Sequence, residues 1–217
     1  TYNQVLRQRN ACLRLAPEAV DEETLAVWDQ QLIELGSEIT LRRWQALTAL
    51  APLAEEQHAR LSGGEKLSLR YQSAVAGRED FSDAADLALL FERELQRHAA
   101  SERLRGCSLV GPHRDEIKIA VNGQPAREFA SQGQQRTLAI SMKLAELETA
   151  YIERGEYPVP LLDDVFSELD EKRRSRLLLL PEKTQTFISA ADFDPSLLSR
   201  GRRWLVEATP ESGAKIR

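Results

Sequence analysis

Cysteine is scarce. The 217-residue chain has two, Cys12 and Cys107, far apart in sequence and without a CxxC partner. That excludes a disulfide-stapled scaffold and a cysteine zinc site, and it fits a reducing compartment. Long hydrophobic runs are missing too. The longest aliphatic one, the four leucines at 177–180, is closed by Pro181 and falls far short of the roughly 20 residues of a membrane-spanning helix. Thr1, Tyr2 and Asn3 do not begin a signal peptide. There are three histidines, His58, His98 and His113, and no two stand at i, i+4 spacing, which argues against a histidine metal centre. Nor is there a basic excess: Lys+Arg total 29 against Asp+Glu 34, a net charge of -5. Nucleic-acid binding would then depend on where positive charge clusters. Repeats and low-complexity tracts are lacking. The most consequential absence is a G-x-x-x-x-G-K-[ST] loop. The closest spacing, Gly106 to Gly111, runs into Pro112 and His113, so no backbone cradle and no lysine are supplied for β- and γ-phosphates.

What the chain does contain is helical periodicity followed by alternation. Residues 2–15 hold neither Gly nor Pro and stop before Pro17, which predicts a helix. Asp21, Glu22 and Glu23 supply acids for a second helix start. Leu25, Trp28, Leu32, Leu35 and Ile39 then follow in steps of 3, 4, 3, 4, a heptad seam. The pattern loosens through Trp44, Leu47 and Leu50. Pro52 is expected to kink or break the helix, and Gly63-Gly64 to end it. About two heptads are too few for an extended coiled coil, so a helical hairpin or bundle is predicted.

After Gly64, Leu67, Leu69 and Tyr71 alternate with polar residues, the pattern of a half-buried strand. Residues 83–100 return to helix, with Leu87, Leu90 (or Phe91) and Leu95 on one face. Gly111-Pro112 marks a turn, Ile117, Ile119 and Val121 a strand, and Asn122-Gly123 a hairpin. A helix over 134–152, a strand over 159–162, a helix over 171–180 and strands at 187–188 and 204–206 complete the reading. Strands alternating with helices predict an α/β lobe with a partly parallel sheet. The expected organisation is a mainly helical arm with a small β element over 1–105, and an α/β domain over 106–217.

The predicted strand over 159–162 reads as buried and runs into Asp163 and Asp164. In α/β sheets ligands sit at the carboxyl ends of strands. Asp163 suits Mg²⁺, held directly or through water. Asp164 suits orienting or deprotonating an attacking water. Two turn aspartates after a core strand would look the same, and this stretch alone leaves both readings open. Its neighbours favour the first. Ser167, Glu168, Leu169 and Asp170 follow at once. Upstream, Ser131, Gln132, Gly133, Gln134, Gln135 and Arg136 open an amphipathic helix, where Ser131 and the Gly133 backbone make an anion site. Among the basic residues, Arg114 sits on a turn within reach of a phosphate. Arg42 and Arg43 lie on the second helix, and Lys172, Arg173 and Arg174 begin the one after Asp170. These are DNA-phosphate candidates or solvated faces. No aromatics interleave with them, so base-specific reading has no support.

Residues 131–137, 161–170 and 111–115 resemble the RecF family of recombination mediators, within the SMC-like branch of ABC-type ATPases. The likeness is specific across 108–192 and looser in the helical part, although Leu6, Arg7, Gln8, Arg9 and Asn10 resemble the start of the RecF arm. The resemblance implies part of an ABC-type ATPase head, a P-loop NTPase-like sheet with flanking helices, beside a helical arm. It implies that Asp163 is the Walker B aspartate and Asp164 the catalytic acid. It makes residues 131–136 the signature, acting on nucleotide in trans, and 167–170 the D-loop. It further implies ATP and Mg²⁺ as cofactors, an ATP-dependent homodimer and slow hydrolysis. The implied setting is the bacterial cytoplasm, with DNA or its single-strand junction, RecR, RecO and RecA as partners in DNA-damage repair and the SOS response. Two departures from the general ABC pattern stand out. Gln132 replaces a glycine, as it does in RecF. Ala190 stands where a switch histidine would be, leaving Ser189 or Asp192 to substitute. In RecF the phosphate loop lies in an N-terminal portion that precedes the matched stretch, so this chain is expected to be a fragment without ATPase of its own.

Leu61, Ser62, Gly63, Gly64 and Glu65 look closer to the common ABC signature. They are set aside because the glycine pair closes a helix rather than opening one, and because a strand, a helix and a hairpin separate them from Asp163. Two rival readings remain. One is another ABC-type ATPase, although a transporter subunit would keep a switch histidine and a shorter signature-to-Asp163 spacing. The other is a non-enzymatic interaction module.

Overall fold

The computed structural model describes residues 1–16, 21–77, 81–166, 169–177, 184–191, 202–209 and 213–216. The chain divides into two compact units, Thr1–Glu156 and Tyr157–Arg217. The expected boundary between residues 105 and 106 thus falls inside the first unit.

The first unit is built on one long helix. Helix α1 covers Tyr2–Leu13, and α2 covers Glu22–Ser62. Asp21 caps α2 by accepting from the Glu23 N–H, and Gly63 ends it in the left-handed conformation, which glycine adopts at little cost. Pro52 lies inside α2, so of the expected kink or break the break does not occur. Proline withholds the N–H that would bond the Thr48 carbonyl, a local cost of about 3 kcal/mol. On either side, however, Leu47, Ala54 and Leu61 recur every seventh position and are buried. That packing carries the helix through.

Strand β1 (Leu67–Gln72) and helix α3 (Ala84–Arg105) follow. Helix α3 runs five residues past the predicted end and stops at Gly106, in the left-handed conformation. It crosses α2 closely at Gly36, where a Cβ would lie 2.3 Å from Phe91 Cε1. Phe91, Leu87 and Leu32 are fully buried there with Tyr2 and Val5, each such side chain contributing about 1.5–3 kcal/mol. Strand β2 (Glu116–Val121) pairs antiparallel with β1 and turns at Asn122 and Gly123 into β3 (Gln124–Pro125). Both turn residues have positive φ, 52° and 79°, as the anticipated two-residue hairpin requires. A short unforeseen helix, α4 (Ala126–Phe129), leads into α5 (Gln132–Arg154). A second core joins Leu47 and Ala54 of α2, Leu67 and Leu69 of β1, Val121, Ala126 and Ala145.

The elements of this unit meet on a buried charge. Arg9 is 3% exposed. Its Nε donates to Asp29 at 2.5 Å, its Nη1 to Ser108 Oγ at 2.7 Å and its Nη2 to Glu102 at 2.7 Å. Glu102 is completely buried, and its other oxygen accepts from the Leu109 N–H at 2.6 Å. Asn10 accepts from both the N–H and the hydroxyl of Ser108. Burial pulls the Arg9 pKa down, and Asp29 and Glu102 more than reverse the effect.

In the second unit, β4 (Leu161–Asp163) and β5 (Phe187–Ser189) form a parallel pair, in register from Leu161↔Phe187 to Asp163↔Ser189. Helix α6 covers Glu171–Leu177, and β6 (Val206–Thr209) pairs antiparallel with β7 (Gly213–Ile216). Two expectations are corrected here. The strand read at 159–162 is displaced toward the acids, and it is not buried: Leu161 is 76% exposed and Phe187 44%. An apolar run signals burial only if layers cover both faces, and among the described residues β4 has β5 alone beside it.

Removing one partner of the buried ion pair leaves the other charge stranded. Arg9→Met is therefore expected to cost about 3–5 kcal/mol in denaturant unfolding, and Arg9→Met with Glu102→Leu to recover a large part of that loss.

Candidate nucleotide and phosphate site

Ser131 is the N-cap of α5. Its hydroxyl accepts from the Gln134 N–H at 3.3 Å, and its own N–H donates to Gln134 Oε1 at 3.0 Å. This reciprocal cap uses the acceptor side of the hydroxyl and leaves its proton to donate outward. The Gln132 and Gly133 amides follow in the first turn of a 23-residue helix, where N–H groups lack helical partners. Ser131 and Gln132 are exposed, and Gly133, Gln134 and Arg136 are half-buried.

The rejected 61–65 motif behaves as its glycine pair suggested, closing α2. It also makes a contact that sequence reading missed. Glu65 Oε1 accepts from Gln134 Nε2 at 2.8 Å, so it holds the side chain that caps α5. His58, fully buried one turn before the end of α2, lies with Nε2 3.5 Å from Glu65 Oε2 and Nδ1 3.3 Å from Ser141 Oγ. No local pattern links residues 69 positions apart. The signal available was only a carboxylate placed directly after a glycine helix stop.

In the second unit, Asp163 ends β4, Asp164 follows it, and both are exposed. The Ser189 hydroxyl donates to Asp163 Oδ1. The Asp164 N–H lies 3.1 Å from the Ser189 carbonyl and 3.2 Å from its hydroxyl oxygen. Asp164 has φ +47°, a left-handed conformation that aspartate tolerates better than most residues and that recurs at functional sites. Ser167, Glu168 and Asp192 lie outside the described residues. Leu169 is buried. The Asp170 carboxylate accepts from the Arg173 N–H at 2.8 Å and Arg173 Nη1 at 2.6 Å. These contacts, the backbone N–H first, hold the Asp170 carboxyl below its ordinary pKa.

Most of the basic candidates already bind their own chain. Arg43 donates to the Pro112 carbonyl, Arg174 to that of Leu169 and Arg114 to that of Ser108. Arg42 pairs with Glu38, and Lys172 is exposed. The turn carrying Arg114 is held from several sides. Asp115 accepts from the Tyr71 hydroxyl and, at 2.7 Å, from the Ala74 N–H. His113 Nε2 lies 3.2 Å from the Ser108 carbonyl and Nδ1 2.8 Å from the Tyr2 hydroxyl. The carbonyl requires a proton on Nε2, so Nδ1 accepts from tyrosine. Desolvation lowers the His113 pKa, and the adjacent Arg114 charge adds to it.

The fold is a mixed one, mostly helices with small sheets, and it holds a capped helix start in one unit and a parallel strand ending at an acid pair in the other. No protein-family model matches the chain. It is 44% identical over 196 residues to DNA replication and repair protein RecF of Halothermothrix orenii, covering 88% of this chain and 52% of that protein. It is 43% identical over 205 residues to the same protein of Symbiobacterium thermophilum, covering 94% and 53%. A solved structure of the recombination mediator protein RecF with ATP, from the RecFOR pathway, superimposes with a TM-score of 0.75 at 35% identity, over 89% of this chain and 52% of that one. Over the stretch they share, the chain is homologous to RecF. It spans about half the length of the curated relatives it matches.

A histidine whose pKa is lower in the folded chain than in the unfolded one makes stability depend on pH. With its folded pKa below the unfolded value of about 6.5, His113 leaves the folded state intact above that value and weakens it as pH falls. Thermal melts between about pH 7.5 and 5.5 should therefore show a smaller acid-side loss of Tm in His113→Gln than in the parent chain.

Proposed function

We propose that this chain is the arm (1–105) and C-terminal head portion (106–217) of a RecF-type DNA-repair ATPase. The carrying observation is identity of 43–44% over 88–94% of the chain to curated RecF proteins, and the acid pair and the capped α5 supply the chemistry. ATP joins two copies of the full-length protein. Ser131, through its outward hydroxyl proton, and the Gln132 and Gly133 amides donate to phosphate oxygens of a nucleotide held by the other copy. Gln134, fixed by Glu65, keeps that cap in place, and Gln135 and Arg136 continue the same face. Asp164 orients a water and accepts its proton. Residues 167–170 lie beside the pair as the D-loop.

Magnesium fits the donors present. Among the described residues no three His, Cys, Asp or Glu side chains cluster, and Mg²⁺ beside a nucleotide needs only one or two carboxylates, with phosphates and water completing its shell. Asp163 is such a carboxylate, steadied by Ser189. The ion would neutralise phosphate charge there. Ser189 thereby takes the place that a switch histidine holds elsewhere, and without an imidazole hydrolysis is slow.

The proposed partners are double-stranded DNA or its junction with single strands, RecR, and RecO and RecA in the same pathway, in the bacterial cytoplasm, during gap repair and the SOS response. Contacts with DNA phosphates would use exposed Lys172 first, because Arg42, Arg43, Arg114, Arg173 and Arg174 already bind groups of their own chain. No helix among the described residues is long and apolar enough to cross a membrane.

In the full-length protein, Asp164→Asn should keep ATP binding and slow turnover by about 100-fold or more, read in a steady-state phosphate-release assay; unchanged turnover would remove Asp164 from the reaction. Ser131→Arg should abolish ATP-dependent dimerisation in sedimentation while monomer affinity for ATP stays within about twofold. Loss of both together would count against action in trans.

A further inference from the structure

Strand β1 is an outer strand, since the sheet order is β1-β2-β3. The bond from the Asn122 N–H to the Lys66 carbonyl, 2.7 Å, sets the phase of the ladder. By antiparallel alternation, Lys66, Ser68, Arg70 and Gln72 turn their N–H and C=O groups toward β2, and Leu67, Leu69 and Tyr71 turn theirs outward. Among the described residues the outward groups of Leu69 and Tyr71 have no backbone partner. Facing this edge, Trp44, Leu47, Thr48 and Ala51 present one side of α2 across a groove of about 810 Å³. At Ser73 the same edge is bridged by Gly77; the stretch left open at Leu69 and Tyr71, beside a helix wall, is the geometry that seats an added strand.

The charges on the rim say what kind of strand. Arg70 stands directly opposite Lys118 in the register, and like charges so placed destabilise a sheet unless an anion joins them. Arg70 has no carboxylate partner among the described residues, while Lys118 has Glu116. An added strand alternates as β1 does. Its residues level with Leu69 and Tyr71 would face α2, and those level with Arg70 would face the two cations. A nucleic acid suits the groove less well. The Trp44 ring is already packed on Phe81, with centroids 5.1 Å apart, and Tyr71 is tethered by its hydroxyl to Asp115. A nucleotide backbone also has no amide and carbonyl pairs to match the edge.

We propose that the groove between α2 and β1 binds an extended peptide segment of a partner protein, alternating apolar and acidic residues, by adding it as a fourth strand at the β1 edge.

The probe is a labelled, capped eight-residue peptide of alternating valine and glutamate, titrated into the 217-residue chain by fluorescence anisotropy. Saturable binding is expected, with amide exchange slowed at Leu69 and Tyr71. Arg70→Glu with Lys118→Glu should weaken it roughly tenfold or more, and Ala51→Trp, which fills the groove, should abolish it. Circular dichroism identifies variants that keep the fold. No binding at about 1 mM peptide would overturn the proposal. So would equal binding by folded charge-reversed protein, equal binding of a valine–lysine peptide, displacement of the peptide by oligothymidine, or protection of the edge through self-association instead.

Discussion

A guanidinium taken out of water must find anions, and Arg9 finds them on two other helices. Asp29 comes from α2, Glu102 from the end of α3, and Ser108 from the segment beyond it. Desolvating these charges is expensive, so the arrangement contributes little net stability compared with an apolar core. Its effect is on geometry. The three bonds tie α1, α2 and α3 to one another and hold Ser108 in a defined position. The Ser108 carbonyl then holds His113 and Arg114. Asp115 ties the next residues to β1. The start of β2, and with it the hairpin leading to α5, inherits its position from a charge at the N-terminal end of the chain.

The far end of α2 repeats the logic with weaker contacts. Glu65 reaches the side chain that caps α5, and His58 lies beside Ser141 two turns further along. The N-terminal end of α5 is therefore set by the residues that close α2 as well as by its own. In the second unit Ser189 performs a comparable service for the acid pair, bonding the carboxylate of Asp163 and lying against the Asp164 N–H.

What could be read from sequence was what local chemistry decides. Asn122-Gly123 announces its turn because few residues adopt positive φ twice running. The Gly63-Gly64 stop was equally plain, and it separated the decoy from a true helix start. The order of capped helix, acid pair and Ser-x-Leu-Asp sufficed to suggest the family. Pro52 misled because its cost is local while the packing that offsets it comes from α5 and β1, distant in sequence. The strand ending at Asp163 misled in the opposite direction: an apolar run reports a demand for cover without saying where cover comes from. The links from Arg9 to Glu102 and from Glu65 to Gln134 were illegible for a simpler reason. Polar partners 93 and 69 positions apart leave no periodic trace.

The continuity of α2 has a mechanical consequence. Its 41 residues make a rod of about 60 Å, engaged near one end by Asp29 and, beyond the other, leading directly to Glu65. A proline break would have made two short levers with a soft joint. As a single lever, a tilt of roughly 5° about the Asp29 end sweeps the opposite tip through roughly 5 Å, close to one helical turn. Movement at the far end of α2 is thereby coupled, through Glu65, to the cap of α5.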